Sequence, residues 1–208
     1  MTLRIVTPHV ELRYPDDDEL QALATLSAEE IHDPAVMPFS TPWSRAAPED
    51  RPAHSLAYWR GEREVMQPTR WSVAFMVLAD VALVGVQGIE ATRFAMQRSV
   101  TTGSWLVRRA QGRGIGREMR QAVLHFAFIA LHADEARSAS FVDNPASRRV
   151  SEVCGYEHAG VEVIDREGLP EFQDQWALTR ARWEPRRRCD IEVHGFDEMW
   201  AEHRGVRS

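Results

Sequence analysis

The stretch RRAQGRGIGREMR, residues 108–120, places three glycines within five positions and is followed by an apolar helical pattern. Glycine carries no Cβ, so such a loop lets another group come close to its backbone. The N–H groups of the loop, together with the N-terminus of the next helix, form a favourable site for phosphate. The stretch therefore predicts a phosphate-binding turn between a strand and a helix, although a tight turn without a ligand shows the same pattern.

Three kinds of phosphate loop can be compared with this stretch. A P-loop requires a lysine, but all 25 basic residues of the chain are arginine. A dinucleotide-binding turn requires GxGxxG inside a parallel βαβ unit, whereas Gly112, Gly114 and Gly116 give GxGxG. The third pattern, Q/R-x-x-G-x-G/A, is matched in full by Gln111, Gly114 and Gly116. The loop thus points away from ATP and from dinucleotides.

Apolar periodicity predicts the elements around the loop. Strands are predicted over residues 3–15, 71–80, 82–91, 100–107, 136–144, 159–167 and 172–180. Helices are predicted from Asp16 through Leu26, over 54–65, from the glycine loop to near Ala133, and over 145–155. The last of these has Asn144 at its N-cap, Pro145 at its first position and Gly155 at its end.

This order predicts an α+β domain over residues 1–180. The tail, residues 181–208, has no clear period. Its apolar residues Phe196, Met199 and Trp200 predict that it packs on the domain or on a partner subunit. A homo-oligomer is therefore expected.

Composition excludes several functional classes. The net charge of −6 argues against a general nucleic-acid binder, which would present a basic face. No run of 18 apolar residues predicts a membrane span, and residues 1–15 do not have the apolar core of a secretory signal. Cys154 and Cys189 fit no metal-binding spacing and are expected to be free thiols. We therefore predict a cytoplasmic protein that binds no metal, membrane or nucleic acid.

Three ordered motifs resemble those of the GNAT acyl-CoA-dependent N-acyltransferases, within them the RimJ/RimL-like branch. The glycine loop is similar to the acyl-CoA motif of the family. The segment FVDNPASRRVSEVCGY resembles the N-x-x-S…GF/GY motif of the branch, and TPHVELR resembles its TPRLxLR opening, with His9 in place of the usual arginine. The segments HDPAVMPFSTPW and VHGFD are similar to a mycobacterial subgroup that includes a succinyl-transferring member.

The resemblance implies a mixed, mostly antiparallel central sheet flanked by helices, with two parallel strands splayed apart at the acyl-CoA site. It implies acetyl-CoA or succinyl-CoA as the donor and a primary amine as the acceptor: a protein N-terminus, a lysine or a small molecule. The CoA-binding residues that it implies are Leu106, Val107, Gln111, Gly112, Arg113, Gly114, Ile115, Gly116, Arg117, Asn144 and Ser147.

In such enzymes the amine attacks the thioester directly, so the protein needs a base for the amine and a proton donor for the thiolate. Glu90, at the end of a predicted central strand, is the candidate base, although a solvated strand-end glutamate fits the same pattern. The glutamate position of the histone-acetylating relatives falls near Val100. Ser147 resembles the serine that donates to the sulfur, but it could equally cap the helix. Tyr156 is the alternative donor.

The proline-rich connection over residues 32–52 predicts a rigid pocket wall, with plain loop packing as the alternative. His32, Met37 and Phe39 are its candidate acceptor and acyl-pocket residues. A succinyl donor needs a cationic or hydrogen-bonding partner for its free carboxylate. His32 and backbone N–H groups could serve, and the pattern singles out none. A non-catalytic acyl-CoA sensor is the alternative to an enzyme.

Overall fold

The computed structural model describes residues 2–67 and 69–196. Its nine-stranded sheet has the order β7-β8-β6-β5-β4-β3-β2-β1-β9. The strands are β1 Arg4–Val6, β2 Val10–Arg13, β3 Arg70–Ala79, β4 Ala82–Thr92, β5 Ser99–Leu106, β6 Glu135–Phe141, β7 Glu157–Arg166, β8 Leu169–Thr179 and β9 Glu192–His194. The helices are α1 Asp17–Leu26, α2 Arg51–Glu64, α3 Phe94–Gln97, α4 Ile115–His125, α5 Pro145–Cys154 and α6 Arg180–Trp183.

The single strand predicted over residues 3–15 is wrong, because the segment folds back on itself. β1 pairs with β2 in antiparallel register, with Ile5 opposite Leu12. The hydroxyl of Thr7 closes the turn: its Oγ1 donates to the carbonyl of Val10 at 2.8 Å and accepts from the Val10 N–H at 2.9 Å. Pro8, which has no N–H to give to a ladder, lies in this turn instead of in a strand.

The central strands confirm the predicted mixed sheet. β3, β4 and β5 form an antiparallel meander. β5 and β6 are parallel, and β6 then pairs antiparallel with β8. One parallel pair therefore lies in the middle of an otherwise antiparallel sheet.

Helices cover both faces of this sheet. The ring of Phe75 in β3 meets the ring of Phe126, just after α4, at 5.8 Å, which places α4 on one face. Phe75 lies opposite Gln87, and Ile89 is on the same face because side chains alternate along a strand. Glu90 therefore points to the other face, where it meets α2.

The helix after the glycine loop has the predicted start and nearly the predicted length. Gly114 is its N-cap, and α4 continues beyond His125 as a π-helical turn over Phe126–Ala130. The N–H of Leu131 donates to the carbonyl of Phe126 at 3.0 Å, an i→i+5 bond that ends the helix two residues before Ala133. α5 likewise has the predicted caps, with Asn144 at its start and Gly155, at φ 93°, at its end.

Two other boundaries differ from the prediction. α2 begins at Arg51 instead of at residue 54, because Pro52 stands in the first turn, where a missing N–H costs no hydrogen bond. In the predicted tail, β9 pairs with β1, with Val193 opposite Ile5. This strand is too short for a sequence pattern to predict it. Phe196 packs on Phe126 at a ring distance of 5.4 Å. Met199 and Trp200 lie outside the described residues.

Candidate active site

The site begins where the two parallel strands separate. β5 and β6 pair only from Ser99 with Glu135 to Thr101 with Arg137. At this last pair, the hydroxyl of Thr102 donates to the carbonyl of Arg137 at 3.1 Å. Beyond it β5 stays paired with β4 and β6 stays paired with β8. The two strands therefore form a wedge that is closed at Thr101 and open toward Leu106.

A cavity of about 1080 Å³ occupies this wedge and continues to α2 and to the proline-rich connection. It brings together most of the residues predicted for the site. Those on its wall are His32, Phe39, Glu90, Leu106, Gln111, Gly112, Gly114, Gly116, Arg117, Asn144 and Ser147. The residues predicted to bind the donor and those predicted to lie near the acceptor thus line one continuous cavity.

The glycine loop is open toward the cavity. Gly112 and Gly114 have φ values of 71° and 85°, which favour glycine, and a Cβ added at either would meet no atom within 4 Å. No side chain caps Gly114, and the N–H of Arg117 already donates to the carbonyl of Gly114 at 3.1 Å, so in the part of the chain that the structure describes the N–H groups of Ile115 and Gly116 are the ones left without an intrahelical acceptor or a side-chain cap. These N–H groups and the positive end of the helix dipole suit a pyrophosphate.

Other predicted donor residues have structural roles. The amide nitrogen of Gln111 donates to the carbonyl of Leu106 at 2.9 Å and to that of Ile31 at 2.7 Å, so it ties the residue just before the proline-rich connection to the open end of β5. Val107 and Ile115, and also Met37 of the predicted acceptor and acyl pocket, are buried in the core instead of lining the cavity. Arg113 is exposed and lies 3.7 Å from the carboxylate of Asp80.

The first turn of α5 forms the other side of the wedge mouth. Oδ1 of Asn144 accepts the N–H of Ser147 at 3.1 Å. The capping oxygen therefore belongs to Asn144, and Ser147 contributes only its backbone N–H to the cap. The half-buried side chain of Ser147 faces the cavity.

The carboxylates of the cavity lie on the face of the sheet that α2 covers, opposite the face that α4 covers. Glu90 lies on the cavity wall, opposite Thr101 in β5, and Tyr58 and Glu62 from α2 are beside it. Although the Glu90 side chain reaches solvent, the surrounding protein atoms raise its pKa by desolvation, and the nearby carboxylate of Glu62 raises it further. Arg70, which pairs with Glu62 at 2.8 Å, partly offsets both effects. A raised pKa suits a carboxylate that must accept and release protons near neutral pH.

Aromatic rings from the proline-rich connection form a wall of the cavity. His32 meets Phe39 at 5.7 Å, Phe39 meets Trp43 at 5.2 Å, and Trp43 meets Trp105 of β5 at 5.6 Å. Both ring nitrogens of His32 are engaged, Nε2 with the hydroxyl of Ser44 at 2.7 Å and Nδ1 with the carbonyl of Asp33 at 2.8 Å. His32 thus fixes the shape of the loop.

Among the cavity residues that the sequence did not reveal, Glu62 and Arg120 carry charge next to the proposed reaction. Glu62 lies one turn after Tyr58 on α2, and no motif marks it. Arg120 is 3% exposed on α4, with Val123 and Ala127 on the same buried face at i+3 and i+7. The sequence did offer one signal for Arg120, since it is a charged residue within an apolar helical stripe.

Cys154 and Tyr156 are both buried near the wedge. Burial raises the pKa of the Cys154 thiol to about 11, so the thiol is neutral near pH 7 and is a poor nucleophile. The hydroxyl of Tyr156 lies 3.1 Å from that of Thr102, at the closed end of the wedge. Its pKa is also raised, chiefly by desolvation.

Over residues 2–67 and 69–196, no helix is both long enough and apolar enough to cross a membrane. Within the same ranges, no three His, Cys, Asp or Glu side chains are grouped in a way that could hold a metal ion.

A family model described as the acetyltransferase (GNAT) domain matches residues 9–157 of the chain. The match spans β2 through the start of β7 and includes the glycine loop, the wedge, Glu90 and Ser147.

Solved structures share the fold at low sequence identity. A RimL ribosomal L7/L12 α-N-protein acetyltransferase in complex with CoA superposes with a TM-score of 0.66 at 19% identity, over 84% of this chain and 96% of that one. RimJ of Mycobacterium smegmatis, in complex with CoA-disulfide, gives 0.63 at 19% identity over 87% of each chain. A chimera of the spermidine N-acetyltransferase SpeG from Vibrio cholerae and hSSAT gives 0.67 at 16% identity, over 85% of this chain and 98% of that one.

Proposed function

The chain belongs to the GNAT acetyltransferase family, with a RimJ/RimL-like fold, and from that premise we propose that it transfers an acetyl or succinyl group from CoA to a primary amine. The observation that carries the proposal is the continuous cavity, which joins the glycine loop to Glu90 through the wedge. A donor held at the loop and an amine held at Glu90 would meet inside it.

Binding of the donor would use the backbone more than side chains. The pyrophosphate would lie against the N–H groups of the loop from Gly112 to Gly116, with Arg117 beside them on the cavity wall. Pantetheine would follow β5 from Leu106 into the wedge, where β5 and β6 leave each other's edge groups unpaired. Asn144 lies on the wall of the same space, and because its oxygen caps α5, its amide nitrogen would be available to the donor.

Transfer would proceed by direct attack. The amine nitrogen forms a bond to the thioester carbonyl carbon, and the C–S bond breaks. Glu90 takes the proton that the amine loses, directly or through water, and the hydroxyl of Ser147 donates its proton to the departing thiolate, which leaves as the CoA thiol. Ser147 regains a proton from water, and Glu90 releases the proton it took to the solvent. Acceptors with an α-amino group would need little help, since their ordinary pKa of about 7.7–8.0 leaves part of the amine neutral at pH 7.

The test is release of CoA thiol from acetyl-CoA and succinyl-CoA in the presence of a panel of peptides, polyamines and aminoglycosides. Acylated product identified by mass spectrometry, together with a loss of about tenfold to a hundredfold in kcat for Glu90→Gln, would support the proposal. Glu64→Gln, an exposed change at the end of the same α2, is the control. Tight CoA binding without turnover for any amine would favour the acyl-CoA sensor instead.

Two points remain predictions: that the acceptor is a protein N-terminus, a lysine or a small-molecule amine, and that the chain forms a homo-oligomer. Sedimentation velocity at micromolar protein tests the second: a single monomeric species would contradict it.

A further inference from the structure

The guanidinium of Arg120 spans the wedge just beyond the point where pairing between β5 and β6 ends. Its Nη1 donates to Oγ of Ser138 in β6 at 2.9 Å, and its Nη2 donates to Oγ of Ser104 in β5 at 3.3 Å. All three residues lie on the cavity wall. Arg120 is therefore a buried cation at the narrow part of the space that the donor would enter.

This charge is not neutralised by the protein. Among the residues that the structure describes, no carboxylate lies within 4.0 Å of the Arg120 guanidinium, and its Nε has no hydrogen-bond partner. Tyr156, whose ring is centred 5.9 Å from the guanidinium carbon and whose neutral hydroxyl also interacts with Arg120, supplies a dipole and a ring face but no counter-charge. A buried cation without a counter-charge is costly, and an anionic ligand in the cavity would remove that cost.

The order of groups along CoA decides which anion fits. A Cβ added at Gly116 would lie 3.9 Å from Cδ1 of Leu106, so the phosphate-binding end of α4 adjoins the open end of the wedge. Arg120 lies five residues beyond Ile115, about 7.5 Å deeper along the helix. The serines that Arg120 contacts lie just beyond the last β5–β6 pair, at the narrow end of the wedge. The part of the donor farthest from its phosphates is the acyl group, and in a donor that fills the wedge this part would reach Arg120.

We propose that Arg120, spanning Ser104 and Ser138, binds the free carboxylate of the acyl group, so that the preferred donor is a dicarboxylic acyl-CoA such as succinyl-CoA. The inference rests on the proposed function. Because Arg120 donates to the serine oxygens, the two hydroxyl hydrogens are left to donate to the same carboxylate.

The charges elsewhere in the cavity agree with this orientation. Glu62 and Glu90 lie on the acceptor side and would repel an acyl carboxylate while attracting a protonated amine. Arg120 lies on the α4 side of the sheet. The cavity therefore separates an anionic acyl end from a cationic acceptor, and the anchored carboxylate would hold the thioester in one orientation.

Isothermal titration of CoA, acetyl-CoA and succinyl-CoA into the full chain tests the proposal. The wild-type protein should bind succinyl-CoA about tenfold or more tightly than acetyl-CoA, as expected for charge-assisted hydrogen bonds. Arg120→Gln should bring that ratio close to one with little change in the affinity for CoA, whereas Arg120→Lys should keep part of the preference. Arg137→Gln, an exposed change on β6 next to the closed end, should leave the ratio as it is.

Equal affinity of the wild-type protein for the two donors would overturn the proposal, and this result does not depend on the folding of any variant. An equal loss of affinity for all three ligands in Arg120→Gln would also overturn it, because the side chain would then support the fold or pantetheine and not the acyl group. If the wild-type protein bound none of the three ligands, the proposed function itself would fail. Binding of CoA without a preference would refute the role of Arg120 alone.

Discussion

At the scale of single residues, the proposed activity depends on carboxylates and hydroxyls whose surroundings differ from water. Glu90 has its pKa raised by desolvation and by Glu62, and Arg70 opposes these effects. Only the ionised form can accept the proton of the amine. Activity through Glu90 should therefore fall as the pH is lowered through its raised pKa, at a higher pH than for an ordinary glutamate.

Glu62→Gln tests this electrostatic coupling. Removing the Glu62 charge ends its repulsion of Glu90 and frees Arg70, and both effects lower the pKa of Glu90. The acid limb of the pH profile of kcat/KM should consequently move to lower pH. The profile is measured from pH 5 to 9 with a saturating donor. Glu64→Gln should not move it, and an acid limb unchanged in Glu62→Gln would remove Glu90 from the role of base.

In the proposed mechanism, catalysis and capping belong to two different residues of one turn, Ser147 and Asn144. Since Asn144 provides the cap, Ser147→Ala should leave the free energy of unfolding nearly unchanged and lower kcat by about tenfold to a hundredfold. Asn144→Ala should cost about 1 kcal/mol of stability. Urea denaturation and steady-state kinetics on both variants check this. A stable Ser147→Ala variant with full kcat would mean that another group protonates the thiolate.

At the scale of secondary-structure elements, the sequence predicted what has a strong local signal. The long amphipathic α4 with its glycine start, the capped α5 and the meander of β3 to β5 were all identified. The errors fall where tertiary contacts decide. Thr7 turns an alternating segment into a hairpin, and β9 exists because β1 offers it an edge.

At Gly85, β4 lies very close to β5, beside the open end of the wedge. A Cβ at this position would lie 2.2 Å from the carbonyl oxygen of Trp105 and 2.9 Å from Cα of Leu106, both backbone atoms that cannot move alone. Gly85→Ala should therefore destabilise the protein by about 1–3 kcal/mol. It should also disturb the open end of β5, where pantetheine is proposed to enter.

Gly61→Ala is the matched control, since the same methyl group added in α2 meets no atom within 4 Å. It should stabilise the protein by about 0.5–1 kcal/mol, because alanine favours a helix. Thermal and urea unfolding of the two variants give the comparison. Equal stabilities would show that β4 can move away from β5 at little cost.

At the scale of the whole molecule, the site exists because one sheet is opened in its middle. β5, α4 and β6, which form the wedge and its proposed phosphate-binding end, follow one another in the chain, whereas α2, which supplies Glu62, comes before β3 and β4. Local patterns predicted the glycine loop and placed Glu90 on a strand end. They could not predict that Glu62 and Arg120 would reach the same cavity, because this depends on how α2 and α4 pack on opposite faces.

Binding of CoA should therefore stabilise the whole fold, since the ligand would connect parts that the wedge separates. At a CoA concentration 100 times its dissociation constant, binding contributes about 2.7 kcal/mol, which corresponds to a rise of roughly 5–10 °C in the melting temperature of a chain of this size. Gly114→Val should abolish this rise, because its side chain would occupy the open space beside the loop and would strain a backbone at φ 85°.

Gly116→Ala should keep the rise, since its added methyl group would meet Val150 at an ordinary contact distance of 3.6 Å. Each variant is compared with and without CoA, so a lower starting stability does not affect the result. A rise in Gly114→Val equal to that of the wild-type protein would mean that CoA binds elsewhere than at the glycine loop.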